Sequence, residues 1–401
     1  MKSQKKTFSS PLVPNGIFQS NLPFYLIPLA VLCGWVFIHK PPTVAGYYLI
    51  HYLYTYKHGF VPRGLIGEII SWFTDSVSDE LIGTLAVAFS LVLAVAASLC
   101  IGKVLSKVKD DRQSFCVVLF SVLVLCIIPG SFRMYYDQMT QDKLLWALTL
   151  FAVLLCDRKY AVWFTPLLCV IATLINPVYL FCSMILIAIV LLQEFRSSGY
   201  SVRNGIICAV SYVSMIAIGI LGPLSEKKLG FQTPQELLDF YFARYAGQLD
   251  DATRHLFETE WLFDYFEPFD KVVKLTFQIY FKEWGNAQRC LISLIFLALP
   301  ALILFAVFWK KVMKNETDKF QKFIFFLCAI SPIVIVPVTL ISWEFTKYFY
   351  NNVIVQGCLI VYYIVRKNSS VLKAVGDIVR TVRKNPVPFA AVVAYFAVFT
   401  V

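Results

Sequence analysis

The sequence predicts an all-α polytopic integral membrane protein, with about eleven transmembrane helices and with interfacial helices in its outer loops. Hydrophobic residues make up 58% of the 401 positions, and charged residues only 15%. Soluble domains average roughly 45–50% and about 25%. The mean hydropathy is +0.68, and too little polar surface remains to cover so large an apolar core in water. This composition argues against soluble globular, disordered and nucleic-acid-binding proteins.

Apolar runs bounded by charged or turn residues supply the predicted spans, and the whole chain, 1–401, reads as a single transmembrane domain. Several runs are shorter than the roughly 20 residues that cross a bilayer upright, so their ends would borrow flanking residues. The runs are 22–38, 81–101, 114–129, 144–156, 160–175, 178–193, 204–223, 290–309, 323–341, 353–365 and 387–401.

The distribution of basic residues predicts the orientation. With a cytoplasmic N-terminus and alternating sides, 22 of the 36 Lys and Arg residues lie inside, 6 lie in the short outer segments and 8 in the long outer segment 224–289. This asymmetry predicts a multi-pass protein of the plasma (inner) membrane with the C-terminus outside. The basic excess then reflects topology and anionic inner-leaflet lipid, not nucleic acid.

Neither the cysteines nor any known short motif indicates a chemical function for this chain. All eleven cysteines fall in or beside predicted spans, so no disulfide framework is expected. The sequence contains no glycine-rich phosphate loop, zinc-binding His-Glu-x-x-His, Cys-x-x-Cys or Gly-x-Ser-x-Gly motif.

The first outer loop, 39–80, is rich in tyrosine and predicts two interfacial helices. The first, over 43–57, would stop at Gly59, and one of its faces would carry Tyr47, His51, Tyr54 and His58. The second would begin near Leu65 and carry Glu68 opposite its apolar side. The tyrosines suit either an aromatic belt at the lipid headgroups or stacking under a sugar ring or isoprenoid.

The long outer segment, 224–289, predicts helices packed on the membrane face of the bundle. Thr233-Pro234-Gln235-Glu236 has the N-cap, first-turn proline and third-position glutamate of a capping box. Pro268-Phe269-Asp270 predicts the start of a further helix.

The loop 130–143 places the densest polar set next to short spans. Asp137 is the candidate base or metal ligand, and Arg133 the candidate phosphate anchor, because a guanidinium binds phosphate with two donors. A helix cap with an Arg–Asp pair is the simpler alternative. Asp142 and Lys143 begin a helix that would enter the membrane. A divalent metal is possible, but no cofactor is certain, because Asp137 and Asp142 are spaced poorly for one helical face.

Further polar residues could converge on the same cavity, although an interfacial or structural role explains each alone. Those of the first loop are Arg63, Glu68, His51 and His58, and those after the ninth span are Glu344 and Lys347.

This architecture resembles the membrane glycosyltransferases of the GT-C superfamily and related polysaccharide-biosynthesis membrane proteins. The matching features lie within residues 22–341: the large first outer loop, the acidic loop between spans three and four, the short spans meeting at Asn176-Pro177 and the long outer segment. The stretch Gly59-Phe60-Val61-Pro62-Arg63-Gly64-Leu65-Ile66-Gly67 looks like a family signature.

The resemblance implies transfer of a sugar from a polyprenyl-phosphate carrier to a glycan or lipid acceptor on the outer face of the membrane. In such enzymes a first-loop carboxylate often acts as base, but residues 39–67 contain no Asp or Glu. Glu68, Asp137 or a histidine would therefore have to act as the base. The first hypothesis is that Asp137 or Glu68 deprotonates the acceptor, while Arg63 and Arg133 hold the carrier phosphate. Membrane lipid is a further expected partner, and the remaining substrate-binding candidates are His51, His58, Lys143, Glu344 and Lys347.

Two alternatives remain open. An O-antigen or capsule repeat-unit polymerase would depend on outer-loop arginines such as Arg244 and Arg254. A transporter or flippase of a lipid-linked or anionic solute is disfavoured by the lack of repeated halves and by the scarcity of charge within the spans.

Overall fold

A computed structural model of the chain describes residues 21–38, 46–59, 61, 63–127, 140–156, 161–177, 179, 183–199, 201–225, 230–231, 233–249, 251, 254, 274, 295–296, 299–335 and 345–399. These residues are mostly helical, and the β pairing found among them is one isolated bridge between Val77 and Tyr245. The predicted helix start at Pro268 lies outside the described residues.

Fifteen helices account for most of the described chain. They are α1 Leu22–Ile38, α2 Gly46–Leu53, α3 Leu65–Ser71, α4 Asp79–Val108, α5 Arg112–Ile127, α6 Asp142–Leu155, α7 Ala161–Ile175, α8 Met184–Ser197, α9 Val202–Ser225, α10 Pro234–Phe242, α11 Leu299–Asn315, α12 Lys319–Ile330, α13 Phe345–Val365, α14 Ser369–Lys384 and α15 Pro386–Phe399. A 3₁₀ segment, Ser331–Ile335, follows α12.

The core forms where α4 and its neighbours pack. Helix α1 lies along α4, and a Cβ at Gly102 would meet the ring of Tyr25. On its other side α4 contacts α6, which packs on α7. A buried amide joins the later helices: Gln356 accepts a hydrogen bond from the Trp309 indole at 2.6 Å and donates to the Cys328 carbonyl at 2.8 Å. This satisfied polar group fixes α11, α12 and α13 against one another.

One end of the bundle, which we call the basic end, brings together residues of five segments with a predicted cytoplasmic location: 1–21, 102–113, 194–203, 310–322 and 366–386. Glu194 pairs with Arg366, and Arg196 with Asp318. Two further hydrogen bonds, both of 3.0 Å, join Lys109 to Asn21 and Ser370 to Glu316. The N–H of Gln321 and the Arg196 guanidinium lower the pKa of Asp318, which caps α12.

Segments with a predicted outer location meet at the opposite end. The Val77 N–H donates to the Arg244 carbonyl at 2.7 Å, and the Tyr245 hydroxyl donates to Asp79 at 2.6 Å. The predicted N-cap at Thr233 is confirmed, because its side chain accepts a hydrogen bond from the N–H of Glu236 and Pro234 opens α10.

The predicted count of about eleven membrane-spanning helices is wrong. Among the described residues only α4, with 30 residues, is long and apolar enough to cross a membrane. Five shorter apolar helices have 10–17 residues: Leu22–Ile38, Arg112–Val122, Phe164–Ile175, Asn351–Val365 and Pro386–Tyr395. The expectation counted apolar runs, but most of the helices formed in those runs have 17 residues or fewer. Helix α6 has 14 residues, and a helix of that length extends roughly 21 Å against a hydrocarbon core of about 30 Å.

Candidate functional site

The first loop folds back on itself between α2 and α3. The predicted helix over 43–57 forms but is shorter than predicted, because α2 ends at Leu53 and His58 lies in an exposed turn away from the helical face of His51. The cause is the close approach of α3. At Gly67 a Cβ would meet the carbonyl oxygen of Tyr54, and would lie 2.8 Å from that of Tyr52. Only glycine lets the two backbones lie this close.

Replacing Gly67 by alanine is therefore expected to destabilise the fold by about 1–3 kcal/mol, because backbone must move to admit the methyl group. Thermal unfolding of the purified chain in detergent measures the change. Gly83→Ala is the matched control, since a Cβ at this helical glycine meets no atom within 4 Å. That control should be neutral or slightly stabilising. Equal melting temperatures for the two variants would contradict the close packing of α2 and α3.

Arg63 reaches back from the turn to His51. Its guanidinium lies 2.7 Å from His51 Nε2, and because a guanidinium only donates, Nε2 accepts and the ring proton belongs on Nδ1. His51 is buried. Arg63 has a φ of 66°, a left-handed conformation that non-glycine residues seldom adopt. The fold holds this strain and places a cation against a neutral imidazole.

Glu68, which lies in α3, stabilises the turn by accepting two hydrogen bonds. One carboxylate oxygen accepts the Tyr56 N–H at 2.7 Å, and the other accepts the Trp72 indole N–H at 3.2 Å. Burial, and secondarily the charge of Glu68, raise the pKa of the Tyr56 phenol. Each oxygen of Glu68 retains a lone pair for a further donor.

Arg244 enters the site from the chain after α10. It donates to the carbonyl of Leu53, the last residue of α2. A second guanidinium nitrogen, Nη2, is buried and has no hydrogen-bond partner within the described part of the chain. Burial lowers the pKa of Arg244, while Asp75, Tyr241 and Glu68 oppose that shift and so lie near it. Arg244 remains a cation, because a guanidinium does not lose its proton in a protein.

We refer to His51, Tyr56, Arg63, Glu68 and Arg244 as the loop site. Two cations are bound to successive parts of α2, one on the side chain of His51 and the other on the carbonyl of Leu53. A carboxylate stands near Arg244. Guanidiniums and a carboxylate held in the same loop suit an anionic ligand and an acceptor group that must lose a proton.

Aromatic rings flank the loop site. Tyr54 and Tyr241 meet edge to face with centroids 4.9 Å apart. The ring of His58 lies 4.6 Å from that of Phe231 and 4.5 Å from that of Phe240. His58 thus belongs to the contact between the first loop and α10, at the exposed margin of the site.

Several buried polar side chains lie next to the backbone of His51. Gln141 donates to the His51 carbonyl at 2.9 Å, and Asn176 donates to Asp142 at 3.0 Å. Burial, and secondarily Asp142, raise the pKa of Tyr52. No sequence pattern predicted Gln141 as part of this group, although polar residues beside apolar runs are the signal that marks such positions.

Lys143 lies apart from the loop site. It is fully buried between α6 and α4, where it donates to Ser90 at 2.7 Å and lies 3.5 Å from the Ala86 carbonyl. These contacts assign it to helix packing and not to a substrate.

The other sequence candidates are not placed. Asp137, Arg133 and Glu344 lie outside the described residues, and Lys347 belongs to α13 without a described side chain. In the described part of the chain no group of three or more His, Cys, Asp or Glu residues is arranged to hold a metal ion.

Comparison with protein-family models, with curated proteins and with solved structures finds no match to the chain. The resemblance to the GT-C superfamily therefore remains a prediction from the sequence.

Proposed function

We propose that the chain transfers a sugar from a polyprenyl-phosphate-linked donor to a glycan or lipid acceptor, and that the loop site performs this transfer. The observation that carries the proposal is the pair of arginines, Arg63 and Arg244, that are both bound to α2, with the charge of Glu68 acting on Arg244. Cleavage of a sugar from its carrier leaves negative charge on the phosphate, and fixed guanidiniums stabilise that charge.

Glu68 is the base in this proposal. Deprotonation of an acceptor hydroxyl needs a carboxylate within hydrogen-bond reach of it. The donors from Tyr56 and Trp72 fix the carboxylate in one orientation and leave room for a further hydrogen. Asp137 remains a second candidate for the same role.

A membrane location is consistent with the apolar faces that the described helices leave uncovered. Along α9, Val202, Ile206, Val210, Val213 and Ile216 are all at least 46% exposed, and they recur at helical spacing. An exposed apolar stripe of this length is unfavourable in water and suits contact with lipid. In this proposal the loop site lies outside and the basic end faces the cytoplasm.

The first test is binding of the carrier. Purified chain in lipid nanodiscs is titrated with polyprenyl monophosphate, which carries the shared phosphate without any sugar. Arg63→Gln should weaken binding about tenfold or more, since a hydrogen bond to a charged group contributes roughly 1.5–3 kcal/mol. Arg383→Gln, at an exposed position in α14 near the basic end, is the control and should bind like the parent chain. Equal affinity of the two variants for polyprenyl monophosphate would show that Arg63 does not bind the carrier.

A repeat-unit polymerase is the second candidate, and the contacts of Arg244 favour it. That function was expected to depend on outer-loop arginines, and Arg244 is bound to the first loop while Arg254 is exposed. The products separate the two functions: a polymerase defect leaves single repeat units, and a transferase defect leaves a truncated unit.

The proposed orientation has its own test. Cysteines introduced at Lys107 or Lys314, both exposed at the basic end, should resist an impermeant thiol reagent in intact cells. Cysteine at exposed Asp251, and at its neighbour Asp250 or at Glu260, should react. Labelling of Lys107→Cys from outside would show that the orientation is the opposite of the proposed one. Each variant is compared with the parent chain, because its eleven native cysteines include Cys116, which is exposed.

A further inference from the structure

The last turn of α14 carries two exposed cations, Arg383 and Lys384. The only acidic residue of this helix is Asp377, and its carboxylate pairs with Lys311 at 3.2 Å and with Arg380 at 3.8 Å. Within the part of the chain that the structure describes, no acidic side chain pairs with Arg383 or Lys384. The end of α14 therefore presents positive charge to its surroundings.

An apolar helix begins directly after these cations. Asn385 ends α14, and Pro386 opens α15. Four large apolar side chains of α15 are at least 37% exposed: Val387, Phe389, Val392 and Val393. The exposed surface thus changes from basic to apolar within about one helical turn, as expected where a helix enters lipid.

Helix α11, which packs on α14, shows the same change in the opposite chain direction. Its exposed cations, Lys310 and Lys314, lie near its end. Its large exposed apolar residues all precede them: Leu299, Ile303, Leu304 and Val307.

Contacts on both sides of this change place it at a similar level in the two helices. On the basic side, Asp377 of α14 pairs with Lys311 of α11. On the apolar side, the Tyr395 hydroxyl of α15 donates to the carbonyl of Phe296, just before α11. Lys384 lies between these two contacts along the chain. A boundary between basic and apolar surface that two adjacent helices share marks the level of lipid headgroups.

We propose that the end of α14 binds the headgroups of anionic phospholipids through the guanidinium of Arg383 and the ammonium of Lys384. Both groups donate hydrogen bonds to phosphate oxygens, and basic residues close to a membrane surface are attracted by its anionic lipids. A headgroup such as phosphoglycerol keeps its negative charge, whereas choline neutralises it. The inference uses the membrane location proposed above, with the basic end in the cytoplasm, and does not depend on sugar transfer.

Native mass spectrometry of the full chain tests the proposal. The chain is equilibrated in detergent micelles with equal amounts of phosphatidylglycerol and phosphatidylcholine that have identical acyl chains, so that only the headgroup differs. We expect phosphatidylglycerol to be retained in preference. Arg383→Gln combined with Lys384→Gln should reduce that preference roughly 30-fold. Arg383→Lys with Lys384→Arg keeps both charges and should keep the preference.

Lys373 provides a matched control in the same helix. It is exposed, as Lys384 is, but it lies roughly 16 Å nearer the start of α14, further from α15. That separation exceeds the Debye length of about 8 Å at physiological ionic strength. Lys384→Gln should reduce the preference for phosphatidylglycerol about fivefold, and Lys373→Gln should change it less than about twofold. Equal loss in these two variants, or an unchanged preference in the double glutamine variant, would overturn the proposal.

The loop site should not respond to these substitutions, because α14 lies at the opposite end of the bundle. The double glutamine variant should therefore bind polyprenyl monophosphate like the parent chain. Failure of the lipid proposal and failure of the proposed sugar transfer thus appear in different measurements.

Discussion

Substitution of Arg244 by glutamine is expected to reduce glycan transfer by at least about a hundredfold, the loss typical when one donor to a developing oxyanion is removed. Arg244 is the cation that links the segment after α10 to the end of α2, and it lies near both Glu68 and Asp75. Glutamine removes the charge that would stabilise the leaving phosphate. The rate of product formation by membranes that contain the variant measures the effect.

Folding and catalysis must be separated in that experiment, because Arg244 also supports the first loop. Arg244→Lys keeps the charge but loses the forked donors, so its rate should fall between those of the glutamine variant and the parent chain. Melting temperatures of both variants report the structural part. A glutamine variant that is stable and transfers at the parent rate would exclude Arg244 from the site.

Glu68→Gln should lower the rate about 10²–10⁴-fold, the usual contribution of a general base. Carrier binding should change little, because Arg63 and Arg244 are intact. The amide also places an NH₂ group against the N–H of Tyr56 or of Trp72, so some stability will be lost.

Glu80→Gln, an exposed acidic residue in the first turn of α4, is the matched control and should transfer normally. If Glu68→Gln keeps more than half of the parent rate, Glu68 stabilises the turn but does not act as the base, and Asp137 becomes the candidate base. A large loss of rate accompanied by equal loss of carrier binding would also argue for a purely structural role.

Local features of this fold followed from the sequence. The cap at Thr233 and the start of α6 at Asp142 depend on residues within one helical turn, and both occur where predicted. Glu68 and Arg63 belong to a glycine-rich stretch whose conformation is set nearby, by Gly59 with its φ of 133° and by the close approach at Gly67.

Features that depend on contacts between residues far apart in the sequence could not be predicted from it. The hydrogen bond from Arg244 to Leu53 joins positions 191 apart, and no local pattern selects that partner. Helix α2 was predicted too long because α3 packs on the backbone after it. Lys143 was placed in the site for its charge, but its partners, Ser90 and the Ala86 carbonyl, lie on α4. Counting apolar runs also overestimated the number of membrane-spanning helices, because the length of an apolar run does not determine where the helix in it ends.

The most direct test of the proposed function is the covalent structure of lipid-linked glycans in cells that lack the chain. Mass spectrometry of extracted polyprenyl-linked intermediates should show a donor that accumulates and an acceptor that lacks one sugar. The parent chain should reverse both changes, and Arg244→Gln should not. Unchanged glycans in cells without the chain, or accumulation of a complete glycan on the wrong side of the membrane, would contradict sugar transfer at the loop site.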